Sequence, residues 1–327
     1  MSILNNVTWT ISNLCRGKPA PSLILVEPAI DVMAELLNRE GITNEVRSDA
    51  LWALSYLSDG PNEQIERVIR TGITSKLIGF LREKNPLSLL TPTVRCLGNF
   101  VTGSDIQTQA VIDEGILDYL GDLLGHSKRN IRKESCWLAS NIAAGTHNQI
   151  TSLMDKPGVM TQLIDNAIHG SWEIKKEALW ALSNICTTGN DLHIQTLIQY
   201  EGLRPLSEAL SLTNADGPVL IACLDAIDEV LQVGERNSHD YGRIFDEYNG
   251  IEYLENLQEH PSDSVYKKTI KIIEAYFGGD EEEDENLAPT MTDSGTFGFG
   301  ISPTAKQLFP ATQASPFAFG TVSNRVY

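Results

Sequence analysis

A tryptophan on the polar side of a helix can hold a cation, and this 327-residue chain repeats such a residue in register. Trp9, Trp52, Trp137 and Trp180 take the same place in VTWTISNLC (7–15), ALWALSYLS (50–58), SCWLASNIA (135–143) and ALWALSNIC (178–186). One further copy, TVRCLGNFV (93–101), carries Arg95 there. The central residues stand 43, 43, 42 and 43 apart. At about 100° per residue, Glu177, Trp180 and Asn184 fall within about 60° of one another, and Leu179, Leu182 and Cys186 face the other way. Glu134, Trp137 and Asn141 repeat that geometry. A lone tryptophan reads as core. Four of the five in one phase of one repeat read as a ladder, with Trp172 out of phase and packed in the ordinary way.

The ladder has a specific chemistry. Neighbouring rings bound slots for a Lys or Arg stem, and the charge gains a cation–π attraction of about 0.5–2 kcal/mol. The asparagine one turn on (Asn13, Asn99, Asn141, Asn184) offers a donor and an acceptor to an extended peptide backbone. Helix layers about 8–10 Å apart, and a chain advancing roughly 3.3–3.6 Å per residue, match about three ligand residues to each repeat. Acids beside the rings pair with the ammonium groups. Arg95 reads as closing the ladder and repelling basic ligand, rather than as a direct contact. It would then mark a boundary that Arg95→Trp moves.

The elements that position these residues are legible too. Weaker copies follow at CLDAIDEVL (223–231), centred on Asp225, and TIKIIEAYF (269–277). Between copies lie shorter helical patterns broken at Gly72, Gly115 and Gly202. Each unit therefore reads as two shorter helices and one longer one. A period of about 40–47 residues with two or three helices is the armadillo/HEAT signature. No run alternates as a strand would. The expected fold is all-α: a right-handed superhelical armadillo solenoid over 1–278, about seven repeats with the first partial. Six consecutive acids at 280–285 open a Gly- and Phe-containing tail to Tyr327. The tail, 279–327, is expected to be disordered, because its composition buries too little surface to order itself.

The bulk composition narrows the partners. With 43 acids against 25 bases the net charge is −18, of which −13 falls on the solenoid. Nucleic acid is repelled and a basic partner favoured. The five cysteines form no Cys-x-x-Cys pair and the six histidines share no phase, so neither a metal site nor a cofactor is expected. Scattered cysteines of odd number read as reduced thiols of a cytosolic or nuclear protein. No membrane span, phosphate loop or nucleophile elbow appears, and catalysis is not expected.

At this point the residues resemble a known family. WTISNLCRGKPAP (9–21), WALSYLSDGPNEQI (52–65), GNFVTGSDIQTQAVIDEG (98–115), KESCWLASNIAAG (133–145) and KKEALWALSNICTTG (175–189) resemble the repeats of importin-α. IFDEYNGIEYLENLQEHPSDSVYKK (244–268) resembles that family's last repeat, and EAYFGGDEEEDENLAP (274–289) its C-terminal segment. The resemblance implies a nuclear-import adaptor of cytoplasm and nucleus that binds basic nuclear-localisation signals of cargo. It implies a complete minor signal-binding site of Val101, Thr108, Glu134, Trp137, Ser140, Asn141, Glu177, Trp180 and Asn184, with Arg95 replacing the ring beside Asn99 on the copy before Trp137, and with Trp52 also counted among the signal-binding residues. Trp9 and Asn13 would be the last surviving rung of a major site, with Asp49 and Asn62 nearby. It further implies an export receptor of the CAS type as partner of the last repeat. Residues 1–40 hold no Arg/Lys cluster, so the family's basic arm and first three repeats are expected to be missing. Importin-β is then a partner only of a form with that arm. The alternative expectation is a truncated decoy, or a non-transport scaffold, that binds basic peptides.

Overall fold

The computed structural model describes residues 3–17, 19–82, 85–212 and 215–278, with the backbone of 290–291 and 297–298. Met1–Phe277 and Gly278–Tyr327 are separate units. In the first, the described residues form helices only. A single long helix, α1 (Ile3–Cys15), comes first. Next are α2 (Leu23–Asn38) and α3 (Asn44–Leu57), then α4 (Asn62–Ile69), α5 (Ile73–Phe80) and α6 (Leu87–Phe100). Two triplets follow: α7 (Asp105–Asp113), α8 (Leu117–Leu124), α9 (Arg129–Ala143), and α10 (His147–Met154), α11 (Val159–His169), α12 (Trp172–Thr188). The last two are α13 (Asp191–Gln199), α14 (Leu203–Ala209), α15 (Gly217–Arg236), and α16 (Tyr241–Glu247), α17 (Gly250–Leu257), α18 (Asp263–Tyr276).

The long helices α1, α3, α6, α9, α12, α15 and α18 pack each on the next in chain order. This stacking follows from their sequence. Each puts its aliphatic stripe inward, as Leu51 and Leu54 of α3 and Leu179 and Leu182 of α12 show by being fully buried. That burial is the main favourable term, at roughly 25 cal/mol per Å² of apolar surface. All five cysteines lie in this core, where burial pushes their thiols up, Cys96 and Cys223 to about 12.

A left-handed residue makes the corner between the two short helices. Gly72, Gly115 and Gly158 adopt φ of 73°, 93° and 80°, which glycine enters without a Cβ penalty. At the next two corners the left-handed residue is Glu201 (φ 61°) and Asn249 (φ 58°). The break expected at Gly202 thus begins one residue earlier. The expectation of two short helices in every unit fails at α2. No glycine interrupts residues 23–38, so both segments run together as one 16-residue helix despite Pro28.

Side-chain caps start the first helix of three triplets and also tie repeats together. Ser104/Gln107, Thr146/Gln149 and Asn190/His193 form capping boxes. Gln107 Nε2 then donates to Asn62 O at 2.9 Å, and Gln149 Nε2 to Asp105 O at 2.8 Å, in the repeat before. One side chain so satisfies helix-end groups of two repeats. At the other end of the stack, Ile3, Ile24 and Leu25 of α1 and α2 are exposed. In the second unit Thr290–Met291 pairs antiparallel with Phe297–Gly298. The acidic run at 280–285, and the rest of the tail expected to be disordered, lie outside the described residues.

Candidate peptide-binding groove

The candidate rings stand on successive long helices, α1, α3, α9 and α12. Trp9 on α1 is 60% exposed. Trp52 (α3), Trp137 (α9) and Trp180 (α12) are half-buried, the last packed on the core. Each of the last three has a carboxylate one turn earlier: Asp49, Glu134 and Glu177. Asp49 therefore stands in the acid phase rather than merely nearby, as its three-residue offset from Trp52 could have shown. Burial pushes its carboxyl up.

The rung at Trp137 is already filled. The Arg95 guanidinium, from α6, lies 4.8 Å from the centre of the Trp137 ring. It also donates to Glu134 Oε2 at 3.1 Å, and Lys133 approaches the other oxygen at 3.5 Å. Glu134 is buried, so its charge is matched within the protein instead of standing open to a ligand. Gly98 makes the arrangement possible. A Cβ there would stand 2.5 Å from Trp137 Cζ3, so only glycine lets the ring lie across α6.

The rung at Trp180 is open. Among the described residues Glu177 forms no ion pair. Burial is the main cause that pushes its carboxyl up, with Lys176 and Lys133 pulling it down and Glu134 and Glu173 raising it. At Trp52 the asparagine position is taken by Tyr56, whose ring stacks on the indole at 5.9 Å between centres. A cavity of about 700 Å³ opens beside it, lined by Arg16, Trp52, Tyr56, Asp59, Arg95 and Glu134 among others.

The asparagines do more than face a ligand. Asn99 Nδ2 donates to Ser55 O at 2.7 Å and Asn184 Nδ2 to Ser140 O at 2.9 Å, each reaching the preceding repeat. Asn13 and Asn141 donate to Trp9 O and Trp137 O of their own helices, at 2.8 and 3.0 Å. Asn13, Asn141 and Asn184 each keep one N–H and the carbonyl oxygen for another partner, whereas Asn99 is buried and gives its other N–H to Ser58 Oγ at 3.1 Å. Ser140 donates to Trp137 O at 2.8 Å and is buried. Val101 and Thr108 are buried and bond to each other, Thr108 Oγ1 to Val101 O at 3.3 Å. Asn62 begins α4 and does not stand on a third helix. Thr108 likewise stands on a first helix, α7, and Val101 is the C-cap of α6.

Sequence reasoning missed the groups beyond Trp180. Asp225, Asp228 and Glu229 of α15 line a cavity of about 300 Å³ with Trp180, Ser183 and Asn184. Their spacing is that of the Trp, Ser and Asn positions one repeat earlier, a signal the weak copy at 223–231 did carry.

Comparison with known proteins agrees with this architecture. Residues 104–144 match the family described as Armadillo/beta-catenin-like repeat, and residues 239–290 the one described as Atypical Arm repeat. A solved designed armadillo repeat protein, in complex with the peptide (KR)4, is 30% identical with a TM-score of 0.65, over 76% of this chain and 99% of that one. The chain belongs to the armadillo-repeat family. Importin subunit alpha-1a of Oryza sativa subsp. japonica is 40% identical over 318 residues, covering 94% of this chain and 59% of the relative. Importin subunit alpha-3 of Arabidopsis thaliana is 40% identical over 303 residues, covering 88% and 56%. Within its family the chain is importin-α-like, and it spans under two thirds of the length of these relatives.

Proposed function

We propose that the line of rings on α9 and α12 is a receptor for extended Lys/Arg-rich segments, and that the chain acts as a nuclear-import adaptor for proteins carrying such signals. One observation carries the reading. The Trp137 rung holds a guanidinium from the protein itself, stacked on the indole and paired with a carboxylate. The Trp180 rung repeats the same three residues with the acid unpaired. A ligand Lys or Arg placed there would gain the contact Arg95 has, and would offset the desolvated charge of Glu177. The (KR)4 peptide of the designed relative supports that ligand class, and the importin names of the natural relatives support the transport role.

On this reading the protein is a binding module that moves between cytoplasm and nucleus, and not an enzyme. The last repeat, α16–α18, would meet an export receptor of the CAS type. Importin-β would engage a form bearing a basic arm. A decoy or non-transport scaffold would bind the same peptides without that engagement, so an importin-β pull-down with and without peptide separates the two. The primary test is titration of a fluorescent basic signal peptide at two salt concentrations. Micromolar or tighter binding, weaker at high salt and lost in Trp137→Ala/Trp180→Ala, is expected. Equal binding by the double variant would mean that general acidity attracts the peptide and that the rings are not a receptor.

A further inference from the structure

The side chain that closes a capping box and also reaches the repeat before is glutamine in two repeats and histidine in a third. Gln107 and Gln149 do both with an amide, which does not titrate. His193 does both with an imidazole, which does. Its ring is buried. Nδ1 accepts the N–H of Asn190 at 3.0 Å, and Asn190 Oδ1 accepts the N–H of His193 at 3.1 Å. Across the repeat boundary, Nε2 lies 2.8 Å from Thr151 Oγ1 of α10. Gly189 leaves room for the ring, since a Cβ there would stand 3.1 Å from Nδ1.

These contacts fix the tautomer. Nδ1 faces a donor and must be bare, so Nε2 carries the proton and donates to Thr151 Oγ1, which donates in turn to His147 O at 2.9 Å. Both ring nitrogens are then satisfied, but only while the ring is neutral. A proton on Nδ1 would set N–H against N–H, strip the Asn190 N–H of its acceptor and bury a charge. The surroundings offset little of that charge. The His147 ring of α10 meets the His193 ring edge-on, at 5.9 Å between centres. Asp155, the C-cap of α10, is the carboxylate that favours a charged ring. Asp191 of α13 is taken by Arg236 of α15, at 2.7 Å. Among the described residues α12, also packed on α13, adds no charge that acts on the ring. Burial first, and His147 second, hold the His193 pKa below the ordinary histidine value.

We infer that His193 is an acid-sensitive latch between the repeat of α10–α12 and that of α13–α15: neutral, it closes the capping box of α13 and ties it to Thr151, and protonated on Nδ1 it turns out of the box and lets α13 loosen from α10. The opened or unfolded chain takes up the proton at about pH 6.5, the closed box only below that. The latch therefore contributes its full stability above about pH 6.5 and loses it as pH falls from there through the lowered pKa. α13 follows directly on α12, which carries Trp180, so the latch sets an acid limit on the repeat next to the open rung. It does not depend on what the groove binds.

The test uses the full chain, unsubstituted and as His193→Gln, which puts there the amide found at Gln107 and Gln149. Between about pH 7 and pH 5.5 the exchange protection of the Asn190 amide, followed by NMR, should fall about tenfold in the unsubstituted protein and stay within about twofold in His193→Gln. Over that range the thermal midpoint of the unsubstituted protein should drop about 2–4 °C further than that of the variant, the two lying within about 2 °C of each other at neutral pH. The His193 ring should titrate below about pH 6.5. A loss of protection equal in both proteins, or a His193 ring that titrates at or above about pH 6.5, would overturn the inference. The ring titration is read on the unsubstituted protein, so it decides the matter even if His193→Gln fails to fold.

Discussion

The rungs at Trp137 and Trp180 are built from one pattern, Glu-x-x-Trp-x-x-x-Asn, and are found in opposite states. At Trp137 the ring and the acid are satisfied by Arg95. At Trp180 the acid is unpaired and desolvated. Nothing within either nine-residue copy explains this. The difference lies one repeat earlier, where Arg95 replaces the ring that would otherwise bound the slot. The state of a rung is therefore set by its neighbour, as expected of a stack in which each repeat touches only the next. Asp225, again in the ring position, makes the third case: carboxylates that draw lysines from the repeat after.

Substitutions at the two rungs separate the filled state from the open one. The largest effect is expected from Trp180→Ala, which should weaken a basic peptide about five- to thirtyfold, given a cation–π contact and stem packing worth about 1–2 kcal/mol together. Trp137→Ala should cost less binding, because part of its ring is already used by Arg95. Paired titrations of the two variants decide this, and equal losses would dissolve the distinction between filled and open rungs.

Gly98→Val is expected to cost about 1–3 kcal/mol of stability by overpacking against the Trp137 ring, read from denaturant midpoints. In peptide titrations it should impair the Trp137 rung and spare the Trp180 rung. Arg95→Ala should open the filled slot and tighten the basic peptide a few-fold. It should also lower the thermal midpoint modestly, because Glu134 stays buried with only Lys133 near it. Arg95→Trp should instead shift the preferred register of a peptide series, and an unchanged profile would count against the boundary role.

The smallest effect is one of pH. Burial raises the Glu177 pKa in the folded protein, so the fold binds that proton more readily than the unfolded chain does. Ionised Glu177 hence detracts from stability at neutral pH, and the penalty fades as pH falls through its raised pKa. A bound cation favours the ionised form, so peptide affinity should decline as pH is lowered from neutrality into the carboxylate range. Glu177→Gln should flatten part of that decline and slightly raise the melting temperature at pH 7. A pH profile identical to that of the unsubstituted protein would remove Glu177 from the site.

Much of this molecule was legible in the sequence, for a physical reason. Period, helix phase and glycine corners are local properties, so the copies around Trp137 and Trp180 and the turns at Gly72 and Gly115 could be placed by counting. What escaped depends on contacts between repeats. The asparagine amides were expected to face a peptide, yet Asn99 and Asn184 spend one N–H each on a carbonyl of the repeat before. Glu134 was expected to await a ligand ammonium, yet a long side chain from another helix reaches it. The undivided α2 follows from a missing glycine and could have been found. So could the lysine pairs at Asp225 and Asp228, since both partners lie 43 residues on, one period of the chain.

On the proposed function, basic side chains enter at the ladder rings and not elsewhere on an acidic surface. Two-dimensional NMR of the five indole N–H groups, assigned by single substitutions and followed through titration with a basic peptide, tests it most directly. Progressive shifts are expected at Trp137 and Trp180, with Trp180 moving further and Trp172 stationary. Shifts of equal size at Trp172, or no indole shift on saturation with a peptide that binds, would contradict it.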